Sequence, residues 1–289
     1  MTFSYDHIIK SFRSYLQQLG YSKSSVSMLP TCVKAFIMFN NITEIKEADQ
    51  DQIKAFYTWL QQRPHKRKQG GLSEQYINHH IYALKVFFSW LEQTGQIREN
   101  PMSVMKFKSP SPNHRKPFTK REIKALFNAC ETIKERALLH LFYSCGLRRT
   151  EAVRLNTRDI HFKQKILYVR EGKGAKRRAV PMTEKVSQEL EAYYLQERNE
   201  PNAKDQNAFM LNKTGTRMSG NSYNRRLKQI AVRTDIKRAI SLHYLRHSIA
   251  THLLESGLPV EYVRDFLGHS HLEATQIYVK VHQKQIRKL

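Results

Sequence analysis

Cysteine is scarce in this chain. Three occur in 289 residues, Cys32, Cys130 and Cys145, and no two stand as a CxxC pair. That spacing builds neither a disulfide framework nor a structural zinc site. Long apolar runs are also missing. No stretch approaches the roughly 20 residues of a membrane span, and the N-terminus lacks the apolar core of a signal peptide. No membrane partner is expected, and the expected location is the cytoplasm, at the nucleoid. No glycine-rich GK[ST] loop occurs, which removes a common cradle for ATP phosphates. Acidic residues are few: 25 Asp and Glu face 49 Lys and Arg, a formal net charge of +24. Such a surplus says little about fold and much about partners. Nucleic acid is the first class it fits and an anionic membrane surface the second.

What is present is ordinary material for a packed protein, with 40% hydrophobic residues and enough length for two domains. Ile8, Ile9, Phe12, Tyr15, Leu16 and Leu19 recur at helical spacing, and Val26, Leu29, Val33, Phe36 and Phe39 repeat the pattern over 23–40. Pro30 inside the second run is expected to kink or end a helix. Asp49 caps a third helix with Ile53, Phe56, Tyr57 and Leu60 on its apolar face. The basic loop over 63–71 reads equally as a solvated loop or as a DNA-backbone contact. Ser73 caps a helix over about 74–93 that buries Ile77, Ile81, Leu84, Phe88 and Leu91 and ends at Gly95. On this reading His79, His80, Tyr82 and Lys85 face outward. His79-His80 has no carboxylate or cysteine at useful spacing, so surface or groove histidines are expected rather than metal ligands.

Residues 108–117 combine Pro, Ser and positive charge, which excludes a packed element and predicts an extended strap. Thr119-Lys120-Arg121-Glu122 is a capping box that opens a second helical region. An apolar helix over 136–144 runs into Gly146-Leu147-Arg148-Arg149-Thr150-Glu151, where Arg148 opens the next helix and Glu151 is expected to orient an arginine. Ile166–Val169 and Arg178–Pro181 flank a glycine-bracketed basic tip, the one clear hairpin signal. Residues 183–232 read as mostly helical with a turn at Thr214-Gly215. The run Tyr223–Arg233, with Arg225, Arg226, Lys228 and Arg233, fits a DNA-contacting helix or a solvated charged face equally.

The most informative stretch runs from His243 to Tyr278. Ser241 is placed to cap a helix carrying His243 and Arg246, and positions three apart share a helix face. Gly257 offers a helix end and Pro259 a restart, followed by Leu267-Gly268-His269 and then Gln276-Ile277-Tyr278. Two histidines, an arginine and a tyrosine brought together point to an anion between them, and a phosphate is the obvious one.

These motifs resemble the boxes of the tyrosine recombinases, the phage-integrase or Xer-like family. The similarity rests on Gly146-Leu147-Arg148-x-x-Glu151, His243-x-x-Arg246, Leu267-Gly268-His269 and Tyr278, with the flanks 246–254 and 274–278. No single residue is specific, but the ordered set is. The resemblance implies a mainly α fold with a small β-hairpin. It implies a helical, SAM-like core-binding domain over 1–107, a linker over 108–117 and a catalytic domain over 118–289, closing as a C-shaped clamp on DNA. It assigns Arg148, Lys173, His243, Arg246 and His269 as catalytic residues and Tyr278 as nucleophile. Lys176 and Arg177 compete with Lys173 on the hairpin tip. The implied partner is double-stranded DNA with a short inverted-repeat core site, held by a homo- or hetero-tetramer on two duplexes.

The chemistry fits independently. Breaking a phosphodiester needs an in-line nucleophile, neutralised phosphoryl oxygens and a proton for the leaving oxygen. A tyrosine, two arginine forks, two histidines and a lysine supply them. No carboxylate cluster marks a divalent-metal nuclease, and no cofactor is expected. The expected activity is site-specific recombination through a 3′-phosphotyrosine, in DNA integration and excision or in chromosome-dimer resolution. Two other readings stay open: a type IB topoisomerase-like enzyme rejoining the same strand, and a non-catalytic DNA-binding protein on a recombinase scaffold.

Overall fold

The computed structural model describes residues 4–65, 69–108, 116–170, 178–198 and 203–268. The chain divides into two compact units, Met1–Asn113 and His114–Leu289. No helix among the described residues is long and apolar enough to cross a membrane.

The first unit is helical: α1 (Ser4–Gln18), α2 (Lys23–Asn40), α3 (Gln50–Gln62) and α4 (Glu74–Gln93). Its caps are those the sequence offers. Asp49 accepts from the Gln52 amide at 2.8 Å while Gln52 reaches back to the Asp49 amide at 3.2 Å. Ser73 accepts from the Tyr76 amide, and Gly95 turns the chain at φ +69°. Phe12, Phe36, Phe56, Phe87 and Phe88 are fully buried, and their rings meet edge-on or tilted. That burial removes the apolar faces of all four helices from water, the main favourable term in such a unit.

Helix α2 does not end at Pro30 but runs through it. Leu29, Pro30 and Val33 are all buried, and the packing of that face outweighs the lost backbone bond, about 3 kcal/mol. His80 does not face outward. It is buried at 3% exposure, because it lies three residues after Ile77 and four before Leu84 on the same stripe. Its ring packs between Phe56 and Tyr76.

The second unit begins with Phe118, buried, its amide donating to Ser248 Oγ at 2.7 Å. The box at Thr119 and Glu122 forms as read, opening α5 (Lys120–Asn128). Helix α6 (Ile133–Leu139) widens into a π-turn over His140–Ser144, and α7 (Arg149–Arg154) follows. A three-stranded antiparallel sheet comes next: β1 (Ile160–His161), β2 (Ile166–Val169) and β3 (Arg178–Pro181), in the order β1-β2-β3. Register pairs Leu167 with Val180 and Val169 with Arg178. Strand β1 carries no hairpin signal of its own and is recruited by the edge of β2. The hairpin's tip, with Lys173, Lys176 and Arg177, lies outside the described residues, as does most of the 108–117 strap.

Helix α8 (Glu184–Tyr193) leads to a second π-turn over Tyr194–Arg198. Residues 203–219 are not helical, against expectation. Buried Arg198 donates to the carbonyls of Asp205, Gln206 and Ala208, and Arg217 bonds Asp205, Asn156 and two carbonyls of the α7 end. These side chains satisfy the backbone of an irregular segment that helical hydrogen bonds would otherwise satisfy. The turn at Gly215 is present, at φ +74°. Then come α9 (Gly220–Val232), α10 (Leu242–Glu255) and α11 (Val260–Leu267).

Candidate active site

Three of the residues singled out from sequence, Arg148, His243 and Arg246, are described. Lys173, His269 and Tyr278 lie outside the described residues.

Arg148 is the N-cap of α7. Its amide donates to Glu151 Oε2 at 2.8 Å, and its Nη1 donates to Glu151 Oε1 at 2.7 Å. Its Nη2 donates to the Gly268 carbonyl at 2.8 Å. Glu151 is thus a capping carboxylate and an ion-pair partner at once. Ser241 occupies the cap position of α10, although its hydroxyl makes no cap bond. His243 and Arg246 follow one turn apart on the same face, His243 exposed and Arg246 buried at 3% exposure. Arg246 donates through Nη1 to the Gly146 carbonyl and through Nη2 to the Leu267 carbonyl at 2.6 Å. The same Nη1 lies 3.7 Å from Glu151.

A third arginine completes the group, and sequence reading missed it. Arg178, the first residue of β3, donates to both oxygens of Glu151 at 3.0 and 2.9 Å. Its Nε donates to the Phe266 carbonyl at 2.9 Å. Three arginines therefore surround one buried carboxylate. They also take three consecutive carbonyls at the end of α11: Phe266 by Arg178, Leu267 by Arg246 and Gly268 by Arg148. A helix end leaves its last carbonyls without partners, and cations there gain from the helix dipole. The next residue along the chain is His269.

Two glycines make the approach possible. Gly146 adopts φ +58°, and a Cβ there would meet Leu267 Cδ2 at 3.0 Å. Gly268 ends α11 at φ +64°, and a Cβ there would meet Arg178 Cδ at 2.9 Å. Both positions need the left-handed conformation and the missing side chain together.

Burial alone pushes the Glu151 carboxyl up. The Arg178 bonds and charge, then the Arg148 amide and guanidinium, outweigh it and bring the carboxyl down to about 2. Glu151 is therefore ionised at neutral pH. Three guanidinium charges against one carboxylate leave a local excess of two positive charges, an electrostatic setting for a phosphate. Glu151 also borders a cleft of about 430 Å³ lined by Arg154, Arg158, Tyr168 and Arg170, but that cleft takes in none of Arg148, His243 and Arg246. Cys145, next to this turn, is fully buried, and burial pushes its thiol up to about 12, so it is a packing residue.

With arginines clustered in its second, mainly helical unit and a separate helical N-terminal unit, the chain belongs to the phage integrase family. Residues 116–285 match the phage integrase family, and residues 8–97 match the phage integrase N-terminal SAM-like domain. Its activity is site-specific tyrosine recombination, a DNA strand-exchange reaction. It is similar to tyrosine recombinase XerC of Chlamydia trachomatis, 36% identical over 217 residues, which span 73% of this chain and 69% of that protein. It is also similar to tyrosine recombinase XerC of Chromobacterium violaceum, 28% identical over 98% of this chain and 93% of that one. Two solved structures share the fold. The Tn1549 transposon integrase in complex with circular intermediate DNA matches with a TM-score of 0.74 at 20% identity, over 94% of both chains. XerH bound to palindromic difH substrate matches with a TM-score of 0.73 at 18% identity, over 96% of this chain and 83% of that one.

Proposed function

We propose that the chain cuts and rejoins double-stranded DNA at a short inverted-repeat core site, using Arg148, Lys173, His243, Arg246 and His269 around the nucleophile Tyr278. The observation that carries this reading is the cluster of guanidinium groups from Arg148 and Arg246 at one buried carboxylate, beside the helix end that leads into His269.

Tyr278 Oη attacks the phosphorus, and the P–O5′ bond breaks. The phenol proton passes to His243, and Lys173 protonates the departing 5′ oxygen. Arg148 and Arg246 hold the non-bridging oxygens in the transition state, and His269 donates a further hydrogen bond. The products are a 3′-phosphotyrosine and a free 5′-hydroxyl. The ester keeps the bond energy, so a 5′-hydroxyl from a second duplex reverses the step without ATP. The domain division proposed is 1–107 for core binding and 118–289 for catalysis, joined by the basic strap over 108–117. Four protomers then hold two duplexes. The surplus of positive charge supports backbone binding that weakens steeply with salt. The chain then acts at the nucleoid.

Covalent capture tests the reading. Wild type and Tyr278→Phe are incubated with fragmented genomic DNA from the source organism, denatured in detergent, and the protein-bound DNA is sequenced. Enrichment of one inverted-repeat site by the wild type alone is the expected result. A site near the replication terminus marks chromosome-dimer resolution, and one at the ends of an element marks integration and excision. An adduct that persists in Tyr278→Phe removes the nucleophile assignment. Absence of adducts from both proteins favours a DNA-binding scaffold without this chemistry.

A further inference from the structure

We infer that Arg178 is a positioning residue for strand cleavage, holding Glu151 and the Phe266 carbonyl so that Arg148 and the chain entering His269 keep their places. The inference rests on the catalytic assignments proposed above.

Every nitrogen of the Arg178 guanidinium is spent on the protein. Nη1 and Nη2 take the two oxygens of Glu151, and Nε takes the carbonyl of Phe266. The side chain is 9% exposed. All three of its nitrogens bond the protein, two of them to the carboxylate that also binds Arg148. Its contacts explain what it does. Glu151 fixes Arg148 at two points, amide and guanidinium, and lies 3.7 Å from Arg246. Whatever holds Glu151 therefore holds the two proposed phosphate-binding arginines. Through Phe266 the same residue restrains the last turn of α11, two residues before Gly268. Gly268 has no Cβ, and the Arg178 side chain occupies that space.

Arg178 also sits five residues after Lys173 in the chain, at the first described position of β3, where it pairs with Val169. One side chain thus anchors the strand that emerges from the lysine-bearing tip, the carboxylate behind Arg148, and the helix end before His269. A lysine cannot replace it. An ammonium supplies the charge for Glu151 but lacks the planar fork that reaches two oxygens and a carbonyl together.

The test compares full-length wild type, Arg178→Gln and Arg178→Lys on a duplex carrying the captured genomic site, with Tyr278→Phe as control. DNA affinity and the single-turnover rate of adduct formation are measured from pH 5 to 8. Small misplacement of reacting groups costs on the order of 100-fold in rate. Arg178→Gln is expected to lose about that much, and Arg178→Lys about 10-fold, with affinity within about threefold in both. The glutamine variant also gains an acidic limb in its rate profile. Without Arg178, burial of Glu151 is opposed less, and protonation releases Arg148. The lysine variant, which keeps the charge, gains no such limb. Carboxyl-carbon NMR of Glu151 reads the same change without DNA. If Arg178→Gln unfolds, Arg178→Lys keeps the counter-charge for Glu151 and carries the test: slower cleavage with near-normal affinity is expected, and cleavage within about threefold of wild type overturns the inference. The inference fails if Arg178→Gln cleaves within threefold of wild type. It also fails if rate and affinity fall together with an unchanged pH profile, or if Glu151 titrates as before. A wild type that forms no adduct overturns the functional reading beneath it instead.

Discussion

Glu151 accepts hydrogen bonds from both the backbone amide and the guanidinium of Arg148, at 2.8 and 2.7 Å. One carboxylate thereby sets where α7 begins and where its first side chain points. The capping box usually serves helix stability alone. Here the same bond geometry orients a proposed catalytic group, so helix stability and site geometry are coupled.

Replacing Glu151 by Gln should therefore damage both. It leaves three arginines, two of them almost wholly buried, without their shared counter-charge, and breaking a buried ion pair on one side costs roughly 3–5 kcal/mol. Adduct formation should fall with it, and by more than DNA affinity does. Chemical denaturation and single-turnover cleavage check the two halves separately.

The same carboxylate predicts an acid limb in stability. Its folded value is about 2 against an ordinary 4.5, so its contribution is fully present above 4.5 and is lost as pH falls toward 2. The difference corresponds to about 3 kcal/mol. Wild type minus Glu151→Gln, measured by denaturation from pH 6 to 2, should shrink across that window. A pH-independent difference would contradict the assignment.

Gly268→Ala should destabilise the second unit and slow cleavage. The position holds φ +64°, which costs an L-residue about 1–2 kcal/mol, and the new methyl would press on Arg178 Cδ. Thermal denaturation should show the loss. If cleavage slows no more than stability explains, the helix end does not bear on the site.

His80 predicts a pH effect of the opposite chemistry in the first unit. Neither ring nitrogen makes a hydrogen bond of normal geometry among the described residues, and burial, then the Arg63 charge, pushes the ring down to about 4. The unfolded chain binds that proton more readily, so stability falls as pH drops from 6.5 toward 4. His80→Phe keeps an aromatic against Phe56 and Tyr76 and should flatten the dependence over that range. Unfolding of the first unit, followed by tryptophan fluorescence, measures it.

Lys173→Ala should slow cleavage of an ordinary phosphodiester by about 100-fold or more, the usual worth of a general acid. A substrate with sulfur in place of the bridging 5′ oxygen needs no proton to leave and should recover the rate. Failure of the sulfur substrate to rescue would transfer the role to Lys176 or Arg177.

Local chemistry was legible in the sequence. Asp49, Ser73 and Thr119 cap the helices they were read to cap, because a cap needs only its own next three residues. Arg148 and the His243–Arg246 pair were legible for the same reason: a helix start and an i, i+3 face are set within one turn. The hairpin pairing of Ile166–Val169 with Arg178–Pro181 was legible from alternation and a glycine-bracketed tip.

Only the tertiary structure decided the rest. Arg178 looked like one more basic residue beside a basic tip. Its partners are Glu151, 27 residues earlier, and Phe266, 88 residues later, distances over which no periodicity carries information. Pro30 violates helix chemistry locally and is kept by packing against neighbouring helices. His79 and His80 are the same residue type side by side, and the phase of α4 puts one outside and the other inside. Sequence determines what each residue is able to do within a turn or a strand. Long-range contacts, made only once the core has closed, determine which charges share a carboxylate and which carbonyls remain to be held.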